Sequence, residues 1–424
     1  MNAAEPGSGP RSQLRTIVAL FLILRLTILF LYTPQGLLNA YTDYHHYFRT
    51  AQLSDQGYYP FVNMWSEYPP LLAYTTQAVY RAAQAIVPVG GIDSFGYQIF
   101  ARLLGSVLLL FETGVLILIH RIAARTWGVD KADWLGWVYS ALSLPLFFWN
   151  ASQTSNVTFF TLLTIYWFIT ERRVRSAVAL GLGIATKFTP IFLLGPALRF
   201  LLPRRAAPIV YTLFTLLTLA AILMPFFLLG GGPWIGASFA SLLTRTSWAT
   251  PWALIDGNGG VGDVGDILTR TQLNLATVPY GNPPVIPSIV TVAAFVLLYG
   301  LLFRRPIDPR GPRQFIWFST LTAMIFHLWS KGWSPQWATL IIPLLLLSFP
   351  NRRGLWLTLL LTAIVFLEWP IADALRSPAL LAVAILSRTV LFIVVAWLIA
   401  RQLWSSSAAG RLARSTSAVG DYIP

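Results

Sequence analysis

Apolar runs of roughly 15 to 23 residues recur from one end of this chain to the other, each near the length a helix needs to cross the hydrocarbon core of a bilayer. The first is "TIVALFLILRLTILFLY", Thr16 to Tyr32. With 56% hydrophobic residues, 11% charged residues and a mean hydropathy of +0.63, that much apolar surface has no water-facing fold in which to hide. The pattern predicts an all-α polytopic membrane protein of about 10 to 13 transmembrane helices. The N-terminal run is longer than a cleavable signal core and contains Arg25, so it is expected to stay as the first span.

The net charge of +14 suggests a nucleic-acid partner until the positions are read. About two-thirds of the Lys and Arg lie in short clusters between apolar runs, where the positive-inside bias puts them. Basicity here reports topology, and no nucleic acid is expected. The clusters are Arg11 with Arg15, Arg121 to Lys131, Arg172 to Arg175, Arg204 with Arg205, Arg304 to Arg313, Arg352 with Arg353, and the tail from Arg401. They predict spans near 15–33, 98–119, 133–149, 156–170, 209–229, 286–303, 314–329, 335–349, 354–370 and 379–400, with both ends in the cytoplasm. Residues 1–403 then form a single transmembrane domain, and 404–424 a cytoplasmic tail without structure. With no cysteine in the chain, disulfides and thiolate chemistry are excluded.

One segment fits no simple crossing. "AVALGLGIATKFTPIFLLGPALRFL", residues 177–201, has basic clusters on both flanks and Lys187 and Pro190 at its middle. It is expected to be a helical hairpin broken at "TKFTP", a form tolerated where the freed backbone lines a protein cavity.

Two outer loops are long enough to carry structure, 34–96 and 230–285. The first opens on "TDYHHYF" and holds about half of the chain's 16 tyrosines, which favour headgroup depth. Thr42 is expected to cap a helix from Asp43 to near Gly57, and Pro69 with Pro70 to open a second helix reaching about Ala85, both interfacial. In the second, "DGNGGVGDVGD" lacks the bidentate Glu and spacing of a calcium loop and reads as a mobile loop. "NAS" at Asn150 and "NVT" at Asn156 match a glycosylation pattern but stand at a span edge, where such short matches carry little weight.

Ionisable residues within spans are costly and point to a bundle interior or a watery cavity. Arg25, Arg102, Glu112, Lys187, His327 and Arg388 qualify; for Arg102 and Glu112 a structural ion pair or snorkelling is the plainer account. Sorted by membrane side, Asp43, His45, His46, Arg49 and Glu67 in the first outer loop meet His327 and Lys331, in "FHLWSKGWSPQW", on one face. A base, imidazoles and cations in one cavity suit group transfer from a phosphorylated lipid: the base takes an acceptor proton while cations hold the phosphate leaving group. Asp43 could equally cap its helix, Glu67 could orient its loop, and "SPQW" could be a helix start with Pro335 in the first turn. Adjacent on a helix, His45 and His46 point about 100° apart, so only one of them lines a pocket with Asp43.

An aspartate opening the first outer loop, then "GYYPF", "SEYPPLL", "ATKFTPIFLLGP" and "SKGWSPQWATLIIPLL", resembles the polytopic GT-C glycosyltransferases over most of residues 15–350. Within them the chain is most similar to the polyprenol-phosphate-mannose-dependent alpha-mannosyltransferase group. The resemblance implies inverting transfer of a sugar, mannose, from a polyprenyl-phosphate donor to an extracytoplasmic glycan or glycolipid acceptor at the cell membrane. It puts Asp43 and His327 in the catalytic roles and Arg49, Glu67, Tyr68, Lys187, Lys331 and Gln336 around the substrates. Some GT-C members carry D-x-D in this loop and use a metal, whereas His45 stands in the third position here, which argues for metal-independent catalysis without a cofactor and leaves a divalent metal as the open alternative. Two other classes fit the residues: a secondary transporter or lipid flippase, prompted by the break at Lys187, and an oligosaccharide polymerase or ligase. Paired breaks in two halves would mark the transporter, and only one break is visible.

Overall fold

The structure is a computed structural model that describes residues 12–33, 43–260, 262, 265–309 and 311–420. Those residues are helical almost throughout, and the two isolated β-bridges among them, Pro60 with Met64 and Trp248 with Gly332, do not grow into strands. Five helices are long and apolar enough to cross a membrane by length and composition: α1 (Leu14–Leu31), α4 (Phe95–Trp127), α10 (Ala207–Leu228), the α16 segment Arg352–Ala372 and α17 over Pro378–Ser405. Between them run α2 (Tyr44–Gln52), α3 (Pro70–Ile86), α5 (Val129–Ala141), α6 (Ser143–Phe148), α7 (Thr154–Ile169), α8 (Arg173–Thr186) and α9 (Leu194–Leu201). Then follow α11 (Gly232–Thr244), α12 (Pro251–Asp256), α13 (Ser288–Arg304), α14 (Pro312–Trp329) and α15 (Ala338–Ser348), with α16 proper at Arg352–Phe366 and α17 at Pro378–Gly420.

The expected spans all appear as helix, with two refinements. Residues 133–149 divide into α5 and α6 at an extended Leu142, because Pro145 leaves a backbone acceptor of a continuous helix without its donor. The last helix does not stop near residue 400: α17 is assigned over Pro378–Gly420. Arg11, Tyr41, Thr42, Asp263 and Arg310 lie outside the described residues, as do the expectations placed on them.

The hairpin breaks where "TKFTP" predicts. α8 ends at Thr186, Lys187 is extended (φ −156°, ψ 144°), and a short turn over Thr189–Leu193 leads into α9. Pro190 cannot supply the N–H that a continuing helix would need.

Two cores follow from the apolar spacing. The larger fills the interhelical space of the bundle, where α7, α8 and α10 pack together and α14 packs on α17. The smaller joins both interfacial helices to the start of α4: Tyr44, Tyr47, Phe48 and Ala51 of α2 recur at one-face spacing against Leu72, Tyr80 and Ala83 of α3 and Phe100 and Leu104 of α4. Phe48 meets Tyr80, Tyr97 and Phe100 edge-on, with centroids 5.0–5.5 Å apart. This packing seats α2, and with it Asp43, over the bundle.

Candidate active site

Asp43 occupies the N-cap position of α2 but does not cap it. Its carboxylate bonds to no backbone N–H of the helix. Oδ2 instead accepts from Tyr47 Oη, one turn along α2, and from Gln336 Nε2 of the α14–α15 connection, both at 3.1 Å. Its N–H donates to Ala151 O at 3.2 Å. Burial pushes the Asp43 carboxyl up, and the charges of Lys187 and His46, with the two hydrogen bonds, pull it only part of the way back. A raised carboxylate is a stronger base than a capping one, so the plainer account of Asp43 fails on geometry.

The floor beneath Asp43 is the α6–α7 connection. Asn150 to Asn156 is entirely buried: Asn150 Oδ1 accepts from Tyr44 Oη at 3.3 Å, Gln153 N donates to Tyr47 Oη at 3.4 Å, and Gln153 Nε2 donates to Thr76 Oγ1 at 2.5 Å. With Asn150 and Asn156 7% and 3% exposed, neither glycosylation match is accessible.

At the break after α8, the Lys187 ammonium stands over the Trp337 ring at 4.5 Å and has no hydrogen-bond partner among the described residues. It is close enough to Asp43 for each charge to act on the other. Arg245, at the end of α11, lies over Trp248 at 4.4 Å and donates through Nη2 to Gly262 O at 2.8 Å, while its buried Nε has no partner. Its charge reaches both Lys187 and Tyr68. One cation with unused donors, Lys187, therefore faces the Asp43 carboxylate, and Arg245 stands behind it.

Glu67 and Tyr68 come in from the other side. Glu67 is held bidentately by Arg270, Nε to Oε2 at 3.0 Å and Nη2 to Oε1 at 2.9 Å, and Oε1 also meets His46 Nε2 at 2.8 Å. Burial alone would raise this carboxyl, but Arg270 and His46 hold it well below the usual carboxylate range. The Trp65 indole N–H bonds the carbonyls of Thr269 and Gln272, so the first outer loop is clasped to the second. Tyr68 sits edge-on to His46 and Tyr47, and burial raises its hydroxyl. His45 faces away, against Tyr97, and burial with the Arg49 charge lowers its imidazole. The two histidines thus part company as their spacing requires.

Of the residues expected at the site, Asp43, Gln336, Lys187, Tyr68 and Glu67 gather in one region, the last fully engaged by Arg270. His327 lies next door in an aromatic box of Phe326, Trp333, Trp337 and Phe392, 6% exposed, with both ring nitrogens buried and unpartnered. Arg49 is exposed, and Lys331 turns its ammonium to Ser288 Oγ at 2.6 Å, so neither is brought to Asp43. The in-span charges are structural: Glu112 pairs with Arg25 at 3.5 Å and accepts from Tyr139 and Ser155, while Arg102 bonds only its own helix neighbour Gln98. Arg388 pairs with Glu368 and also donates to Ala249 O. Asp256 and Asp266 are committed to their own loop, to Ser247 and Val285 N in one case and to Leu268 N in the other. Among the described residues no three His, Cys, Asp or Glu side chains gather as metal ligands.

Sequence reasoning missed Tyr47, Gln153, Arg245, Arg270 and Trp337. Three of them carried a signal. Arg245 and Arg270 are the only basic residues of the second outer loop, set against the positive-inside bias. Tyr47 stands at i+4 from Asp43.

Behind the site, an apolar groove of about 580 Å³ runs between α13, the α8–α9 turn and α14, lined among others by Phe192, Val296, Tyr299 and Phe326. Phe192 and Phe326, with centroids 6.4 Å apart, stand between groove and site, since Phe326 precedes His327 on α14.

No family model matches this chain, and no curated protein sequence matches it. Among solved structures, the crystal structure of ArnT from Cupriavidus metallidurans bound to undecaprenyl phosphate is similar, at 15% identity over 94% of this chain and 78% of that one, with a TM-score of 0.47.

Proposed function

We propose that the protein is a membrane glycosyltransferase that moves a sugar, mannose by the motif resemblance, from a polyprenyl phosphate to an extracytoplasmic glycan or glycolipid acceptor. The observation that carries this reading is the meeting of Asp43, a half-buried carboxylate without an arginine partner, with Lys187, a cation whose donors are unused and whose neighbour Arg245 adds a second charge. Such an arrangement suits a base on one side of a reacting carbon and a phosphate leaving group on the other.

In this reading Oδ1 of Asp43 takes the acceptor hydroxyl proton as the oxygen attacks the anomeric carbon. The bond from that carbon to the phosphate oxygen breaks with its electron pair, and the phosphate departs onto Lys187 and Arg245 with inversion. Tyr47 and Gln336 fix the other carboxylate oxygen, so Oδ1 has a defined direction. His327 is the weaker candidate for base, because its nitrogens are sealed among aromatic rings. The groove is of a size that small-ligand sites span, about 300–1,000 Å³, and its apolar lining suits a polyprenyl chain.

The test is transfer of labelled mannose from polyprenyl-phosphate-mannose into the lipid and glycan fraction of native membranes by the purified, reconstituted protein. Asp43→Asn should bind the donor and fail to transfer. Retained transfer removes Asp43 as base, and vesicle uptake of donor without a covalent product makes the protein a carrier.

A further inference from the structure

We propose that His46 is the proton outlet of this site, receiving the proton from Asp43 and passing it to the outer aqueous phase. The inference rests on the glycosyl-transfer reading above, because it needs a proton delivered to Asp43 at each turnover. His46 is three residues beyond Asp43 and so shares its face of α2, and the two groups are close enough for the imidazole charge to act on the carboxylate.

The surroundings of His46 define its tautomer. Nε2 lies 2.8 Å from Glu67 Oε1 and 3.4 Å from Arg270 Nη2. An ionised carboxylate only accepts, so the shorter contact requires the proton on Nε2 and leaves Nδ1 as the accepting atom of the neutral ring. Arg270 holds both oxygens of Glu67 and fixes the carboxylate that orients the ring. The titratable and charged groups facing His46 are therefore Asp43 and Tyr47 from α2, Glu67 and Tyr68 from the first outer loop, and Arg270 from the second.

Two further features suit an outlet. The His46 side chain is 34% exposed, whereas those of Glu67 and Arg270 are 6% and 1%, so the imidazole is the member of the cluster that reaches solvent. Beside it is a cavity of about 20 Å³ lined by His46, Tyr47, Ser66, Glu67 and Tyr68. That is room for a single water beside the imidazole, on the side away from Asp43's own hydrogen bonds, where a proton leaving the ring can be taken up.

The step balances without another reactant. The acceptor O–H proton moves to Asp43 as the sugar is transferred; protonated Asp43 gives it, directly or through one water, to Nδ1 of His46; and the imidazolium releases it to the outer water, restoring both groups.

The experiment uses the full chain in proteoliposomes with labelled polyprenyl-phosphate-mannose. His46→Gln should lower kcat about 10- to 100-fold with donor KM unchanged, and regain turnover when free imidazole is added. A His46→Gln enzyme with the wild-type kcat and no response to imidazole overturns the proposal. Should the variant not fold, the unmodified protein still answers: with only four histidines in the chain, nitrogen-labelled His reports the tautomer, and a proton on Nδ1 of neutral His46 overturns it too. Inactive Asp43→Asn beside an unaltered His46→Gln removes the outlet alone, while active Asp43→Asn removes the transfer reading beneath it.

Discussion

Asp43 and Glu67 are both enclosed carboxylates of the candidate site, and their partners differ in kind. Glu67 has a bidentate guanidinium and an imidazole. Asp43 has a phenol and an amide, both neutral, and feels Lys187 and His46 only across a gap. One is locked by opposite charge; the other is kept uncompensated. The first arrangement joins two loops, and the second leaves a base to react.

The difference gives the two groups opposite linkage to stability. The Asp43 carboxyl is raised in the folded chain, so its contribution is favourable below the ordinary aspartate value and is lost as pH rises through the raised value. At neutral pH Asp43 is a cost. Glu67 is depressed, so its contribution is present above the ordinary glutamate value and is lost only as pH falls through the depressed one.

The largest expected effect breaks the comparison at Asp43. Asp43→Asn should reduce transfer about 10²- to 10⁴-fold, the usual worth of a general base, while leaving the melting temperature at pH 7 equal or higher. Parallel loss of activity and stability would put Asp43 in the same structural class as Glu67. The next effect breaks it at the clasp: Arg270→Met leaves Glu67 buried without its partner and should cost about 3–5 kcal/mol in denaturant unfolding in detergent. Adding Glu67→Leu should recover part of that loss, as removal of both charges does for buried pairs.

How much of this was legible in the sequence differs between the two carboxylates. The apolar runs and basic clusters mark the spans, and "TKFTP" marks the break, because these signals are local. Asp43 was also visible, as a charge at a span end that the membrane does not need. The partner of Glu67 was not: Arg270 lies 203 residues away, and no local pattern ties a carboxylate to a residue of another loop. The distance of the Lys331 ammonium from Asp43 has the same origin. Its place at the end of α14 was readable, but the direction of its side chain depends on Trp248 bonding the Lys331 carbonyl at 3.0 Å, a contact across two loops.

A sharper division concerns the cations on the Asp43 side. Lys187→Ala and Arg245→Gln should each raise donor KM by about 10-fold or more, since a hydrogen bond to a charged group contributes roughly 1.5–3 kcal/mol. Equal donor binding in both variants would leave Asp43 without a phosphate opposite it.

The smallest effect belongs to Lys331. Its ammonium is solvent-facing and bonded to Ser288 Oγ at 2.6 Å, the first residue of α13, whereas its backbone carbonyl is the part that reaches inward, accepting from Trp248 N and Thr250 Oγ1. Truncating the side chain leaves that carbonyl in place. An exposed charged side chain of this kind contributes about 0.2–1 kcal/mol, so Lys331→Ala should shift donor KM by no more than about fivefold and leave kcat unchanged. A loss as large as that of Lys187→Ala would place the Lys331 ammonium at the donor phosphate and require the Trp248–Gly332 bridge to reorganise when the donor binds.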